Sequence, residues 1–219
     1  MKDKIEKLIT KEVSALLEIP INDSFESAVN WIYKKVHLDG GKLICSGMGK
    51  AGQIALNIST TFSSTGTPSI YLHPSEAQHG DLGILQPNDI LLLISNSGKT
   101  REIGELIHLA KNLDPTIKII GITRNQDSPL GNKSDVVILT GDTEEICPLG
   151  MAPTISTTVM TVIGDILVVS LMNKIGFTKE EYSKRHHSGY LGQKSREESK
   201  YPPGSLLNEL PPSDYQLDN

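Results

Sequence analysis

Short, almost entirely apolar runs alternate with helical stretches between residues 42 and 175, and this alternation limits the fold more than any other feature. The predicted strands are 42–46, 69–73, 90–95, 117–122 and 136–139. The helical stretches that follow them are about 50–64, 101–112 and 154–175. Unbroken apolar runs are typical of parallel strands that helices cover on both faces. The pattern therefore predicts an α/β fold, a three-layer αβα sandwich around a five-stranded parallel sheet.

The two ends of the chain differ from this central pattern. Residues 2–19 carry apolar side chains at helical spacing, and a second helix is predicted from the Asp23/Ser24 cap through Val36. The last 25 or so residues hold four of the twelve prolines and many polar residues, so they indicate a tail or docking segment. We expect one domain over 1–193, including the N-terminal helices, and a C-terminal tail over 194–219.

Composition excludes several classes of protein. A chain of 219 residues is long enough for a sizeable core, and two cysteines do not make a disulfide framework. The net charge of -5 argues against a nucleic-acid partner, although a small anionic ligand stays possible. The N-terminus lacks a signal peptide's apolar core, and the longest apolar runs, 90–94 and 166–169, are too short to span a bilayer. We expect a cytoplasmic protein without a membrane partner.

The first candidate loop, 46–52, follows a predicted strand and opens a helix. Its glycines match the G-x-G-x-x-G pattern of dinucleotide sites. That pattern also needs an acidic residue at the end of the next strand, about 20 positions on, and Glu76 is displaced from there. Lys50, within the turn, is well placed to meet an anion. An NAD-dependent enzyme and a plain tight turn with a solvated lysine both stay open.

The second candidate loop is 95–100, Ser-Asn-Ser-Gly-Lys-Thr. It is not a Walker motif, since the glycine required five positions before Gly98 is Leu93. Serine and threonine hydroxyls, backbone N–H groups and a helix N-terminus converge at such a turn, and this combination binds phosphate without a metal. The alternative is a turn that only caps the helix.

Titratable residues cluster in three further segments. Segment 73–83 holds two histidines, a glutamate and an aspartate, but its spacing matches no standard zinc pattern, so we expect no metal site. Glu144 and Glu145 follow the fifth predicted strand, and 185–187 reads Arg-His-His. A solvated acidic loop and ordinary surface polarity are the alternatives for these two segments.

Taken together, the motifs resemble the arabinose-5-phosphate isomerase family (KpsF/GutQ-like) of SIS, or sugar isomerase, domain proteins. The resemblance covers about residues 5–193. The matching strings are Cys45-Ser-Gly-Met-Gly-Lys-Ala-Gly52, Ser64-Thr-Gly-Thr-Pro68, His73-Pro-Ser-Glu-Ala-Gln-His-Gly-Asp-Leu-Gly83, 95–100, Cys147-Pro-Leu-Gly-Met-Ala-Pro-Thr154 and His186-x-x-Gly-x-Leu-Gly192. The histidine-rich string together with Cys-Pro-x-x-x-Ala-Pro-Thr is the most specific combination.

The resemblance implies a flavodoxin-like SIS domain that interconverts D-ribulose 5-phosphate and D-arabinose 5-phosphate. That reaction feeds synthesis of the sugar Kdo for lipopolysaccharide or capsule. It also implies no metal or organic cofactor, and usually a homotetramer. The implied catalytic residues are Lys50, Glu102, Glu145 and His186, with His79 as a further one. The predicted substrate-binding residues are Ser46, Gly47, Ser95, Asn96, Ser97, Thr100, His73 and Glu76.

As a mechanism, we expect Ser46 and the hydroxyls of 95–100 to anchor the phosphate, so that C1 and C2 stay in register with the catalytic groups. A carboxylate with a raised pKa, or a neutral histidine, would move the proton, and Glu145 is favoured over Glu102. Lys50 would stabilise the enediolate, while His186 or His79 would handle the ring-opening proton.

Two departures and two rival functions accompany this interpretation. Most relatives continue into a tandem pair of CBS domains, which we do not expect in this chain, and His187 stands where proline is usual. Without CBS domains, feedback by CMP-Kdo at the active site becomes a hypothesis. The rivals are a non-catalytic sugar-phosphate sensor and an isomerase for another sugar phosphate, such as 3-hexulose 6-phosphate.

Overall fold

The structure is a computed structural model that describes residues 1–142, 144–186 and 189–198. The described chain divides into two compact units, one over Met1–Gly176 and one that begins at Phe177. The strands of the first unit are β1 (Leu43–Gly47), β2 (Ser69–Tyr71), β3 (Ile90–Ile94), β4 (Lys118–Thr123) and β5 (Val136–Leu139). Each lies within one or two residues of its predicted position. The central strands β1, β3 and β4 are almost completely buried, whereas the edge strand β2 is partly exposed.

The five strands form one parallel sheet in the order β2-β1-β3-β4-β5. In the register, Leu43 of β1 lies beside Ile90 of β3, which in turn lies beside Lys118 of β4. Because the chain goes from β1 outward to β2 and then back across to β3, the strand order reverses between β1 and β3. Ligands of open parallel sheets bind at the carboxyl ends of the strands at such a reversal.

Helices cover both faces of the sheet, which confirms the three-layer prediction. They are α1 (Lys2–Leu17), α2 (Ser24–Ile32), α3 (Gly49–Ser64), α4 (Arg101–Leu113), α5 (Pro129–Lys133) and α6 (Ile155–Ile175). Core side chains of α2, α3 and α6 lie on one face, and those of α4 and α5 lie on the other. The predicted second helix is not one regular helix to Val36, since it continues beyond Ile32 as a π-helical stretch, Tyr33–Leu38.

The longest helix, α6, has 21 residues and a mean hydropathy of 1.9 over its most apolar window, so it could cross a membrane by length and composition alone. Its longest unbroken apolar run, 166–169, is short, so this property is not visible from unbroken runs alone. Half of that window is buried inside the protein, where Gly164 lets α6 approach Ile58 of α3 closely. The helix ends at Gly176, which takes the left-handed conformation that favours glycine. Its apolarity is therefore that of a core helix.

The second unit contains α7 (Lys179–Arg185) and α8 (Gly189–Glu198). The Thr178 side chain accepts a hydrogen bond from the N–H of Glu181 at 3.2 Å and so caps α7. Helix α8 continues across the predicted boundary between the domain, 1–193, and the tail, 194–219. The rest of that tail, 199–219, and His187 lie outside the described residues, so the boundary stays a prediction.

Candidate active site

A cleft of about 740 Å³ opens at the carboxyl edge of the sheet in the first unit. Its walls come from the loop after β1, the turn after β3, the residue after β4 and the segment that joins β5 to α6. It brings together six of the predicted site residues: Lys50, Ser95, Asn96, Ser97, Thr100 and Glu145. Residues far apart in sequence therefore meet where a parallel sheet of this order places ligands.

The turn at 95–100 forms a compact group of hydroxyls. The hydroxyls of Ser95 and Thr100 share a hydrogen bond of 2.7 Å, and the N–H of Gly98 donates to Ser95 Oγ at 3.1 Å. Gly98 has a φ of +66°, and a Cβ there would overlap the Ser128 side chain. Thr100 precedes α4 but makes no capping hydrogen bond to it. Its hydroxyl does not serve as a cap, which favours phosphate binding over the capping alternative.

Lys50 lies in the first turn of α3, on the β1 side of this group. The preceding turn is very tight, since a Cβ on Gly52 would lie 2.5 Å from the carbonyl oxygen of Gly47. The lysine side chain is exposed, and its Nζ lies 3.4 Å from Oε1 of Gln53, a weak contact. The ammonium group is therefore able to meet an anion in the cleft.

Glu145 is half-buried, and it is held by the start of α6. Its Oε2 accepts hydrogen bonds from the N–H and the hydroxyl of Thr154 at 2.6 and 2.8 Å, and from the N–H of Ser156 at 3.4 Å. Burial by itself raises the pKa of this carboxyl, but the hydrogen bonds from Ser156 and Thr154 outweigh it and lower the pKa. The raised pKa expected of a catalytic carboxylate is not found at Glu145.

Four of the remaining predicted residues lie on β1, at the end of β2 and on α4, and none of them lines the cleft. Ser46 is fully buried, and within the described ranges its Oγ has no hydrogen-bond partner. The carbonyl of Gly47 accepts a hydrogen bond from the Tyr71 hydroxyl at 3.0 Å. His73, at the end of β2, makes an edge contact with the Tyr71 ring, and Glu102 is in the first turn of α4.

Glu76 and His79 are exposed on a short 3-10 turn after β2 and also lie away from the cleft walls. They follow the edge strand of the sheet, which β1 separates from β3. His186 belongs to the second unit. Within that unit its ring stacks on Tyr182, with centroids 3.7 Å apart, and its Nδ1 lies 3.0 Å from the Tyr182 carbonyl oxygen.

Several residues of the cleft are not among the predicted site residues. These are Met48, Ala51, Arg124, Asp142, Glu144, Gly150, Met151, Pro153, Ser156, Thr157 and Met160. Arg124 and Asp142 each follow a predicted strand within three residues, so their place at the carboxyl edge was a signal that could have revealed them. Ser156 and Thr157 lie in the first turn of α6, and no local pattern marks them as site residues.

A protein usually holds a metal ion with three or more His, Cys, Asp or Glu side chains that lie close together. Over residues 1–142, 144–186 and 189–198, no three His, Cys, Asp or Glu side chains lie close enough to hold a metal ion.

Residues 39–170 match the SIS domain, and the chain belongs to the SIS-domain family. Curated relatives are similar over 186 residues, 85% of this chain. Among them are the arabinose 5-phosphate isomerases KdsD of Yersinia pestis, 44% identical, and of Escherichia coli K12, 42% identical. Those 186 residues correspond to 55% of each relative, so the chain spans about half the length of the curated proteins it matches.

Two solved structures match this chain over nearly their own whole length. A Bacteroides fragilis protein assigned as a phosphosugar isomerase involved in capsule formation is 65% identical, with a TM-score of 0.86, over 87% of this chain and 99% of its own. A protein of Escherichia coli CFT073, solved in complex with arabinose 5-phosphate, is 35% identical, with a TM-score of 0.75, over 84% of this chain and 96% of its own. The resemblance drawn from the sequence motifs is therefore confirmed at the level of the family and its fold.

Proposed function

We propose that this chain is an aldose–ketose isomerase that interconverts D-ribulose 5-phosphate and D-arabinose 5-phosphate. The observation that carries the proposal is the single cleft that the hydroxyl turn at 95–100, Lys50 and Glu145 all line. A phosphate anchor, a cation and a carboxylate are the groups that this reaction needs. Further support comes from the KdsD relatives and from the arabinose 5-phosphate complex of the Escherichia coli CFT073 protein.

In this proposal the turn at 95–100 holds the 5-phosphate. The hydroxyls of Ser95, Ser97 and Thr100 and the N-terminus of α4 supply hydrogen bonds and positive potential. Anchoring one end of the sugar keeps C1 and C2 near the opposite wall of the cleft, which lowers the entropic cost of reaching the transition state. Binding through Ser46 has less support, because that residue is buried within β1.

Glu145 moves the proton between C1 and C2, with Glu102 as the alternative base. Glu145 lies on the cleft wall, and Glu102 does not. A lowered pKa keeps Glu145 ionised at neutral pH and ready to accept a proton, although it also makes the carboxylate a weaker base. Lys50 stabilises the enediolate oxygen, and His186 or His79 moves the ring-opening proton, with less support for His79 because it lies away from the cleft walls.

We also propose a cellular location, an oligomeric state and a metabolic role for the enzyme. It works in the cytoplasm, as a homotetramer, and supplies Kdo synthesis for lipopolysaccharide or capsule, with CMP-Kdo as a feedback ligand. Support for self-association comes from the apolar side chains that α1 exposes, among them Ile9 at 57% and Leu17 at 71% exposure. Exposed apolar stripes of this kind commonly mark contact surfaces.

A panel of pentose and hexose phosphates tests the function. The purified chain is expected to convert arabinose 5-phosphate and ribulose 5-phosphate into one another and to leave hexose phosphates unchanged, without added metal. Binding of sugar phosphates without turnover would instead indicate a sensor, and turnover of 3-hexulose 6-phosphate would indicate the rival isomerase. Either result would contradict the proposal.

A further inference from the structure

Arg124 is the first residue after β4, and its side chain lines the cleft beside the turn at 95–100. Hydrogen bonds connect the end of β4 and the following loop to that turn. The N–H of Arg124 donates to the carbonyl of Asn96 at 3.0 Å, and the hydroxyl of Thr123 donates to the same oxygen at 3.1 Å. A little further on, the N–H of Leu130 donates to the Gly98 carbonyl at 3.0 Å. These bonds fix the base of the arginine side chain next to the predicted phosphate site.

The positive charge of Arg124 has no ion-pair partner among the described residues. In the part of the chain that the structure describes, its guanidinium forms no ion pair and no hydrogen bond, and the residue is exposed. Arginine that serves stability commonly pairs with a carboxylate, as Arg101 does with Glu105 at 2.9 Å. An arginine left without such a partner in a cleft is suited to bind an anionic ligand.

The order of the strands places a cation on each side of the turn. Strands β1 and β4 flank β3, so Lys50 and Arg124 approach the turn at 95–100 from opposite sides. The remaining charged groups of the cleft, Asp142, Glu144 and Glu145, all come from the segment after β5 and are negative. A phosphate dianion at the turn would meet repulsion from that acidic wall, and a cation placed at the end of β4 offsets it.

We propose that Arg124 binds the phosphate group of the substrate, as a second ligand beside the hydroxyl turn. The inference rests on the proposed function, in which that turn anchors a sugar phosphate. The planar guanidinium can donate two parallel hydrogen bonds to phosphate oxygens. Because the phosphate takes no part in the isomerisation, Arg124 is a binding residue, and its loss is expected to raise KM while kcat stays nearly unchanged.

The test compares three variants of the full chain. R124Q removes the charge, R124K keeps it without the planar fork, and R101Q removes an exposed arginine that follows the same turn but does not line the cleft. Calorimetric titration with inorganic phosphate and with arabinose 5-phosphate gives the affinities, and steady-state kinetics gives KM and kcat. R124Q is expected to weaken both affinities and raise KM by about 10- to 100-fold, R124K by less, and R101Q by less than about twofold.

The binding titrations separate this inference from the proposed function. If the wild-type chain binds phosphate and R124Q does not, Arg124 is the anchor even where no sugar phosphate is turned over. The inference is overturned if R124Q binds phosphate as tightly as wild type, if R101Q weakens binding equally, or if kcat falls at unchanged KM. Thermal unfolding of each variant checks folding, and R124K supplies the comparison if R124Q does not fold.

Discussion

The carboxylate of Glu145 and the backbone N–H of Thr154 are joined by a hydrogen bond of 2.6 Å, immediately before the first residue of α6. The same carboxylate oxygen also accepts the Thr154 hydroxyl. A side chain on the cleft wall therefore satisfies donors at the start of the helix that forms much of the core. Changes at either residue should affect both the chemistry and the stability of the protein.

Replacing Glu145 by glutamine tests it as the base. E145Q is expected to lower turnover of arabinose 5-phosphate by at least about 10²-fold with a small change in KM, because an amide cannot accept the proton. E102Q is the matched comparison, since Glu102 lies away from the cleft walls and should retain most activity. Steady-state kinetics on both folded variants shows which of the two glutamates is the base. Near-full activity of E145Q would mean that the base is elsewhere.

The stabilising effect of Glu145 should depend on pH in a defined direction. Its folded-state pKa lies below the ordinary value of 4.5, so its contribution is fully present above that value and is lost as the pH falls through the folded pKa. Urea unfolding at pH 7 and between pH 5 and 3 should show the gap between wild type and E145Q narrowing in acid. E144Q, at an exposed neighbour, is the control, and a gap constant across this range would contradict the assignment.

Thr154 should matter through its hydroxyl. The Oγ1 of Thr154 donates to Glu145 and accepts the N–H of Ile146 at 3.1 Å, so T154V removes two hydrogen bonds with little change in shape. We expect T154V to lower the free energy of unfolding by about 1–3 kcal/mol and to reduce activity, while T154S, which keeps the hydroxyl, costs far less. Equal stability of the two variants in urea titrations would rule out this role.

Replacing Gly98 by alanine, the smallest possible change, should destabilise the protein. The residue has positive φ, and the Ser128 side chain, which would meet a Cβ there, also caps α5 through the N–H of Gly131 at 3.1 Å. G98A is expected to cost about 1–3 kcal/mol and to weaken phosphate binding. G104A, on α4 where a Cβ meets nothing within 4 Å, should be neutral or stabilising by up to about 1 kcal/mol. Urea unfolding measures the stability of G98A and G104A, and phosphate titration measures their affinity. Similar results for the two variants would show that alanine at position 98 is not strained.

The two cysteines should differ sharply toward iodoacetamide. Backbone N–H groups of Ala152 and Met151 donate to Cys147 Sγ at 3.1 and 3.2 Å and lower the pKa of its thiol below 9.0. Burial raises the pKa of Cys45 to about 12. Mass spectrometry of the native protein should find label on Cys147 alone, with a rate midpoint below pH 9, and C147S should abolish it. Labelling of Cys45 at a comparable rate would contradict this.

Local sequence was sufficient to predict the five strands and the helices α1, α3, α4 and α6, but not the short helices α5, α7 and α8. The apolar run at 90–94 became β3 with every residue buried, and the hydroxyl turn at 95–100 lies between β3 and α4 as predicted. Glycine and polar residues end these runs, so the information is short-range. The π-helical stretch Tyr33–Leu38 was not predicted, because its apolar spacing resembles that of an ordinary helix.

The sequence by itself determined the five strands, the helices α1, α3, α4 and α6 and the turn at 95–100, because each depends on neighbouring residues. Only the tertiary structure decided which loops share a cleft. The strand order placed Arg124, after β4, beside the turn, and kept His79, after the edge strand β2, away from it. It also decided the pKa of Glu145, since the donors that lower it lie nine and eleven positions further along the chain. Long-range contacts of this kind leave no periodic trace in the sequence.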